Sequence, residues 1–277
     1  MTPDEYCQHK AAASGSSFYY AFVFLPPERR RAITALYAFC REVDDAVDGA
    51  AEPQIARAKL DWWRAEIANL IAGTPQHPVT RALAPAAAAF GVSAAHLNEI
   101  VDGMQMDLEQ SRYLDFKGLE RYCYRVAGVV GILSAGIFGY RDPRTLEYAQ
   151  QLGTAFQLTN IIRDVGEDAR KNRIYLPLED LKAHGVSAAE ILNARYSDAF
   201  SRLMRFQVRR AREYYDLALG ALPQADRRAQ RPGLIMAAIY RTLLDEIERD
   251  GFRVLDRRTS LTPLRKLWIA WKTWLSA

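Results

Sequence analysis

"QLGTAFQLTNIIRDVGEDARKNRIYLP", residues 151 to 177, carries two patterns at once. From Leu152 to Ile162 it holds no charged residue, which predicts a helix buried over most of its surface. Yet Gln157, Asn160, Asp164 and Asp168 recur at steps of three, four and four, a polar line along one face of that buried element. Buried polar groups without partners are costly, so the line needs partners, from a sparse hydrogen-bond network or from a bound ligand. The cluster Asp164, Glu167 and Asp168 then runs into Arg170, Lys171 and Arg173. Carboxylates for a divalent cation followed by basic groups for phosphate account for that order, with residues 169–177 as a lid.

A second acidic stretch lies upstream. In "YAFCREVDDAVDGA", residues 37 to 50, the flanks read as helix, and Ile33, Leu36, Cys40, Val43 and Val47 form a core-facing stripe at spacings of three and four. Tyr37, Arg41, Asp44 and Asp48 repeat the spacing one residue on, about 100° around the axis. These carboxylates therefore border the apolar stripe and do not oppose it. A salt-bridged helix end is one reading; the mouth of a cavity is the other. Two such lines together suggest facing carboxylate walls that bind a diphosphate through Mg²⁺, an ion that takes oxygen ligands and often only one or two carboxylates.

The rest of the chain sets the frame. Alanine and leucine dominate, alternating β-branched runs are nearly absent, and punctuation falls at helix-length intervals, so the expectation is an all-α chain. Helices are predicted over about residues 28–49, 53–71 and 94–110. Four more follow over 143–168, 198–220, 232–250 and 263–275, with a capping box at Ser187 and Glu190. Connections are short and no linker or repeat stands out, which favours one domain over residues 1–277. A net charge of +4 from 37 basic and 33 acidic residues gives no reason to expect nucleic acid as a partner. Cys7, Cys40 and Cys123 lack CxxC spacing, the four histidines make no HExxH, and neither a signal peptide nor a membrane span is legible, so a reducing cytoplasm is expected.

With these motifs in place, the chain resembles the squalene and phytoene synthases. The likeness rests on "SSFYYAF" (16–22), "YAFCREVDDAVD" (37–48), "YCYRVAGVVG" (122–131), "FQLTNIIRDVGEDARKNRIYLP" (156–177) and Tyr240 followed by Arg257 and Arg258. Within that family the opening and the 122–140 stretch look most like bacterial presqualene diphosphate synthases of hopanoid pathways. The resemblance implies a single-domain class I isoprenoid synthase fold, all helical, around a central active-site cavity. It implies Mg²⁺, with Mn²⁺ as an alternative, held by Asp44, Asp48, Asn160, Asp164 and Asp168. Ser17, Arg41, Gln157, Arg163, Tyr175, Tyr240 and Arg257 would contact substrate diphosphate, and Phe18, Tyr37 and Tyr122 would line the reaction cavity. Where the family reads Ser-x-Ser-Phe this chain has Gly15-Ser16-Ser17-Phe18, so a contact from the first serine falls to Ser14 or Ser16.

The implied reaction joins two farnesyl diphosphates head to head into presqualene diphosphate, without NADPH. Phytoene, dehydrosqualene or complete squalene synthesis would use the same aspartates, and a membrane-peripheral scaffold is the non-enzymatic alternative. An allylic cation needs a dry site with aromatic faces and no nucleophile. Tyr122 and the departing diphosphate, still held by Mg²⁺ and the arginines, are the candidate bases. Gly128, Gly131, Gly136 and Gly139 in "VAGVVGILSAGIFG" either line the prenyl tunnel or let helices pack closely. "PLRKLWIAWKTWLSA" (263–277) gathers Trp268, Trp271 and Leu275 on one side, fitting either the membrane interface, at the inner surface, or packing on the domain. Enzymes that consume the product downstream in squalene metabolism are expected partners.

Overall fold

The computed structural model describes residues 1–13, 21–50 and 52–276. Among them every regular element is helical, and the only β-type pairing is an isolated bridge between Arg112 and Ile174. The first half contains α1 (Pro3–Ala13), α2 (Pro27–Asp48), α3 (Pro53–Ile71), α4 (Pro78–Phe90), α5 (Ala94–Glu109) and α6 (Phe116–Cys123). A π-helical turn, Tyr124–Gly128, joins α6 to α7 (Val129–Phe138). Then come α8 (Arg144–Arg170), α9 (Leu178–His184), α10 (Ala188–Leu192), α11 (Asp198–Ala221), α12 (Arg231–Arg249) and α13 (Pro263–Ser276).

Local chemistry explains most boundaries. Proline occupies the first turn of α2, α3 and α4, where its missing N–H costs nothing. Ser93 accepts from the His96 amide at 3.2 Å to start α5, and Ser187 and Glu190 close a reciprocal capping box at α10. Helix α4 is not among the predicted helices because Pro85 lies inside it and reads as a breaker. Helix α1 is absent from them because only Cys7 of its eleven residues is buried, leaving no apolar stripe to detect.

Helix α8 is the hub. It packs against α7, the π turn, α11 and α12, and its middle turns sit inside one continuous hydrophobic cluster reaching from Cys7 to Ala270. The approach to the α6–α7 arm is unusually close. A Cβ on Gly131 would lie 2.1 Å from the Ala149 carbonyl oxygen, and one on Gly153 would lie 2.2 Å from that of Ala127. Those two glycines therefore permit backbone contact between the arms, and they also line the central cavity. Gly139 has a different task, ending α7 at φ 88°.

Candidate active site

The site forms where the C-terminal ends of α2 and α8 meet. An apolar cavity of about 180 Å³ runs between them. On α2 it is lined by Ile33, Leu36, Tyr37 and Cys40, and on α8 by Tyr148, Leu152, Phe156, Gln157 and Asn160. Both helices pass from apolar to acidic in the same direction, so the aspartates one to two turns beyond Cys40 and Asn160 ring the mouth. Phe22 and Phe138, with ring centroids 6.4 Å apart, also line the cavity, toward the start of α2, where Arg29 lies against Gly139.

Asp44, Asp48 and Asp164 at the mouth are each already paired with a cation. Arg41 pairs with Asp44 at 2.7 Å and with Asp45 at 3.2 Å along α2. Arg163 grips Asp164 through two nitrogens, and Arg258 reaches the same carboxylate at 2.9 Å. Lys171 and Arg173 cross to Asp48 at 2.7 and 3.0 Å, which ties the end of α8 to the end of α2. Tyr240 lies beside Arg163 with its ring against Phe156.

Two corrections follow. Arg257, expected at the diphosphate, pairs instead with Asp250 at the end of α12, and its neighbour Arg258 takes the place at Asp164. The expected lid is fastened down: Ile174 N–H donates to the Ser111 carbonyl at 3.0 Å, Leu178 N–H donates to that of Tyr113 at 2.9 Å, and Arg112 donates to the Asn172 carbonyl at 2.6 Å. Residues 171–178 form a strap that holds Lys171 and Arg173 in place. Ser17 and Phe18 lie outside the described residues.

One carboxylate of the site has no counterpart among the sequence-based expectations. Asp107, near the end of α5, accepts from the Tyr175 hydroxyl at 2.7 Å and from the Tyr122 hydroxyl at 3.0 Å. Tyr122 and Tyr175 stack with centroids 5.2 Å apart, and Tyr113 completes the aromatic group. A signal for it does exist: Leu97, Ile100 and Met104 are buried one or two to a turn, and Asp107 continues their register. A carboxylate in a buried register needs donors or a cation.

The electrostatics join these groups into one field. Burial, then the neighbouring Asp164, push the Asp168 carboxyl up to about 7. Burial likewise raises Asp107 to about 6, against the two tyrosine hydrogen bonds and Arg173. Burial raises Asp44 despite Arg41, whereas at Asp48 the hydrogen bonds from Lys171 and Arg173 outweigh burial and hold the carboxyl low. Groups raised in the folded state bind more protons there than in the unfolded chain. Their stabilising contribution is complete below about pH 4 and is lost as pH rises through 6 to 7. Wild type should therefore lose thermal stability between about pH 5 and pH 8 relative to Asp168→Asn, measured by unfolding without divalent cation. Identical profiles would count against the shared field.

Among the described residues no three carboxylates, histidines or cysteines converge into a ready-made metal cage. The donors that do gather are all oxygens, and the buried Asn160 Oδ1 in the cavity has no hydrogen-bond partner. That set fits Mg²⁺, which accepts one or two carboxylates and fills its remaining positions with water and phosphate oxygens.

Comparison with known proteins settles the lineage. The squalene/phytoene synthase family profile matches residues 11–265. The chain belongs to the squalene/phytoene synthase family. It is 36% identical to a phytoene synthase of Arthrospira platensis, over 95% of this chain and 89% of that protein. It is 37% identical to a 15-cis-phytoene synthase of Synechococcus elongatus, with the same coverage. A crystal structure of a dehydrosqualene synthase superposes with a TM-score of 0.87 at 29% identity, covering 98% of this chain and 95% of the other. Squalene synthase HpnC of Alicyclobacillus acidocaldarius superposes with a TM-score of 0.81 at 28% identity, covering 90% and 94%. The all-α isoprenoid synthase fold expected of the sequence is thus the observed one, and the family is one of prenyltransferases acting on prenyl diphosphates. No helix among the described residues is long and apolar enough to cross a membrane.

Proposed function

We propose that this chain couples two farnesyl diphosphates head to head into presqualene diphosphate, with Mg²⁺ at the acidic mouth. The observation that carries this reading is a largely apolar cavity whose polar end, at Gln157 and Asn160, leads to aspartates on α2 and α8 that are interleaved with arginines. Bound Mg²⁺ would neutralise diphosphate oxygens and make the diphosphate a competent leaving group. Asp44 and Asp48 from one wall and Asn160, Asp164 and Asp168 from the other would hold it.

The protein's own groups do the rest. Arg41, Arg163, Lys171, Arg173 and Arg258, now paired with carboxylates, are positioned to turn to diphosphate oxygens. Loss of one diphosphate leaves an allylic cation at C1 of its prenyl chain. The faces of Tyr37 and Phe156 stabilise that charge without attacking it, and the apolar lining keeps water out. The C2–C3 double bond of the second molecule bonds to C1, a proton leaves, and the cyclopropane closes while the second diphosphate is retained. Tyr122 is a poor base for that proton, because burial and Asp107 push its phenol well above the ordinary value and its hydroxyl donates to Asp107. The released diphosphate accepts the proton in this scheme.

The relatives at 36 and 37% identity are phytoene synthases, which favours a second reading with geranylgeranyl diphosphate as substrate. Purified protein incubated with each diphosphate and Mg²⁺, with and without NADPH, separates the two. A cyclopropyl C30 diphosphate unaffected by NADPH supports the proposal; squalene, dehydrosqualene or phytoene as the main product overturns it. The Phe22–Phe138 pair supplies the physical basis for chain length. Phe22→Ala should shift the ratio of kcat/KM for geranylgeranyl over farnesyl diphosphate upward by about tenfold or more, since a few carbons in an apolar pocket carry that much discrimination.

A further inference from the structure

Helix α13 turns its apolar side to solvent. Leu264, Leu267, Trp268, Trp271, Trp274 and Leu275 are all exposed, and Ala270 is its one buried residue. At 100° per residue these six fall in an arc of about 120°. Arg265 and Lys272 border the arc. The apolar surface continues beyond the helix, because Phe24, itself exposed, stacks on Trp274 at 5.5 Å. Patches of this kind on soluble proteins mark contact with another molecule or a membrane.

Next to Trp274 lies a second cavity of about 650 Å³, walled by Arg29, Arg141, Arg228 and Arg231. Arg231 sits over the Trp274 ring at 5.4 Å, and none of the four arginines forms an ion pair among the described residues. Asp226, the acidic residue in the groove, is committed to the Arg141 and Asp142 amides and the Thr145 hydroxyl. The groove is therefore cationic, and its mouth is flanked by tryptophan. It shares Phe138 and Pro232 with the central cavity, so those two residues form a wall common to both.

We propose that α13, Phe24 and the arginine groove form a face that binds an anionic phospholipid surface. The tryptophans and leucines enter the headgroup region while the arginines take lipid phosphates, the arrangement expected of an interfacial helix. A second copy of the chain fits poorly, because a two-fold contact through this face would set the same arginines against one another. The Phe138–Pro232 wall then places the bilayer behind the far end of the reaction cavity. This last point alone rests on the coupling reading, in which the product is a long-chain lipid.

Co-sedimentation of the full chain with phosphatidylcholine vesicles, with and without phosphatidylglycerol, tests the proposal. Binding should require phosphatidylglycerol and weaken with salt. Arg141→Glu and Arg228→Glu should each reduce it about fivefold or more, the equivalent of ~1 kcal/mol per basic residue at an anionic surface. Trp268→Ser with Trp271→Ser should abolish binding while thermal unfolding and turnover of detergent-dispersed substrate stay unchanged. No binding to either vesicle, equal binding to both, or a dimer in solution that the double tryptophan variant converts to monomer would overturn it. Vesicle binding is read without catalysis, so failure of the product assay leaves this test intact.

Discussion

Asp164→Asn should lower kcat for prenyl coupling by about 10²–10³, the scale on which removing one preorganised charge from an active site acts. This carboxylate is the most connected at the mouth. It anchors Arg163 through two nitrogens, holds Arg258 from the far end of the chain, and raises Asp168 by like-charge repulsion. Asparagine keeps the shape and removes the charge, so two guanidinium groups lose their anchor and the Asp168 carboxyl falls toward the ordinary range. The fold should survive, because relief of repulsion at Asp168 offsets the lost ion pairs, which are partly exposed to solvent on the Arg258 side. Steady-state kinetics across a magnesium titration, beside thermal unfolding, checks both parts. Near-normal kcat with an unchanged magnesium requirement would remove Asp164 from the site.

Gly153→Ala should act in the opposite way, on the fold first. The added methyl would sit 2.2 Å from the Ala127 carbonyl oxygen and 3.0 Å from Gly128 Cα, backbone atoms that cannot swing aside as a side chain would. Overpacking of this kind costs about 3 kcal/mol. The better helix propensity of alanine returns only ~1 kcal/mol, so destabilisation wins. Because Gly153 also lines the cavity, α8 must move away from the α6–α7 arm and turnover should fall with stability. Gly220→Ala in α11 is the matched control. No atom lies within 4 Å of its added methyl, so propensity acts alone and the variant should be more stable by ~0.5–1 kcal/mol. Denaturant midpoints for the two variants should therefore move in opposite directions.

Much of the site is legible in the amino-acid sequence. The line Gln157, Asn160, Asp164, Asp168 and the line Tyr37, Arg41, Asp44, Asp48 are helical repeats, and both occur at one end of the cavity. The seven long helices predicted from caps, prolines and apolar spacing all exist, with no end shifted by more than two residues. The features that escape such reading have no strong local signature. Asp107 reads as one more acid near a helix end until Tyr122 and Tyr175 fold over it. Arg257 and Arg258 are adjacent, and which of them meets Asp164 depends on the turn after α12.

Helical periodicity is a property of consecutive residues, so the chain's own order dictated the all-α class, the buried stretch of α8 and the faces on which its aspartates lie. Which face meets which is a matter of long-range packing. Lys171 and Asp48 are 123 positions apart, and their ion pair joins the ends of α8 and α2, just as Gly131 and Gly153 bring the α6–α7 arm and α8 to backbone distance. The strap at residues 171–178, the tyrosine pair on Asp107 and the outward tryptophans of α13 belong to the same class. Each depends on contacts between distant segments, whose closure entropy is offset only when the whole core assembles.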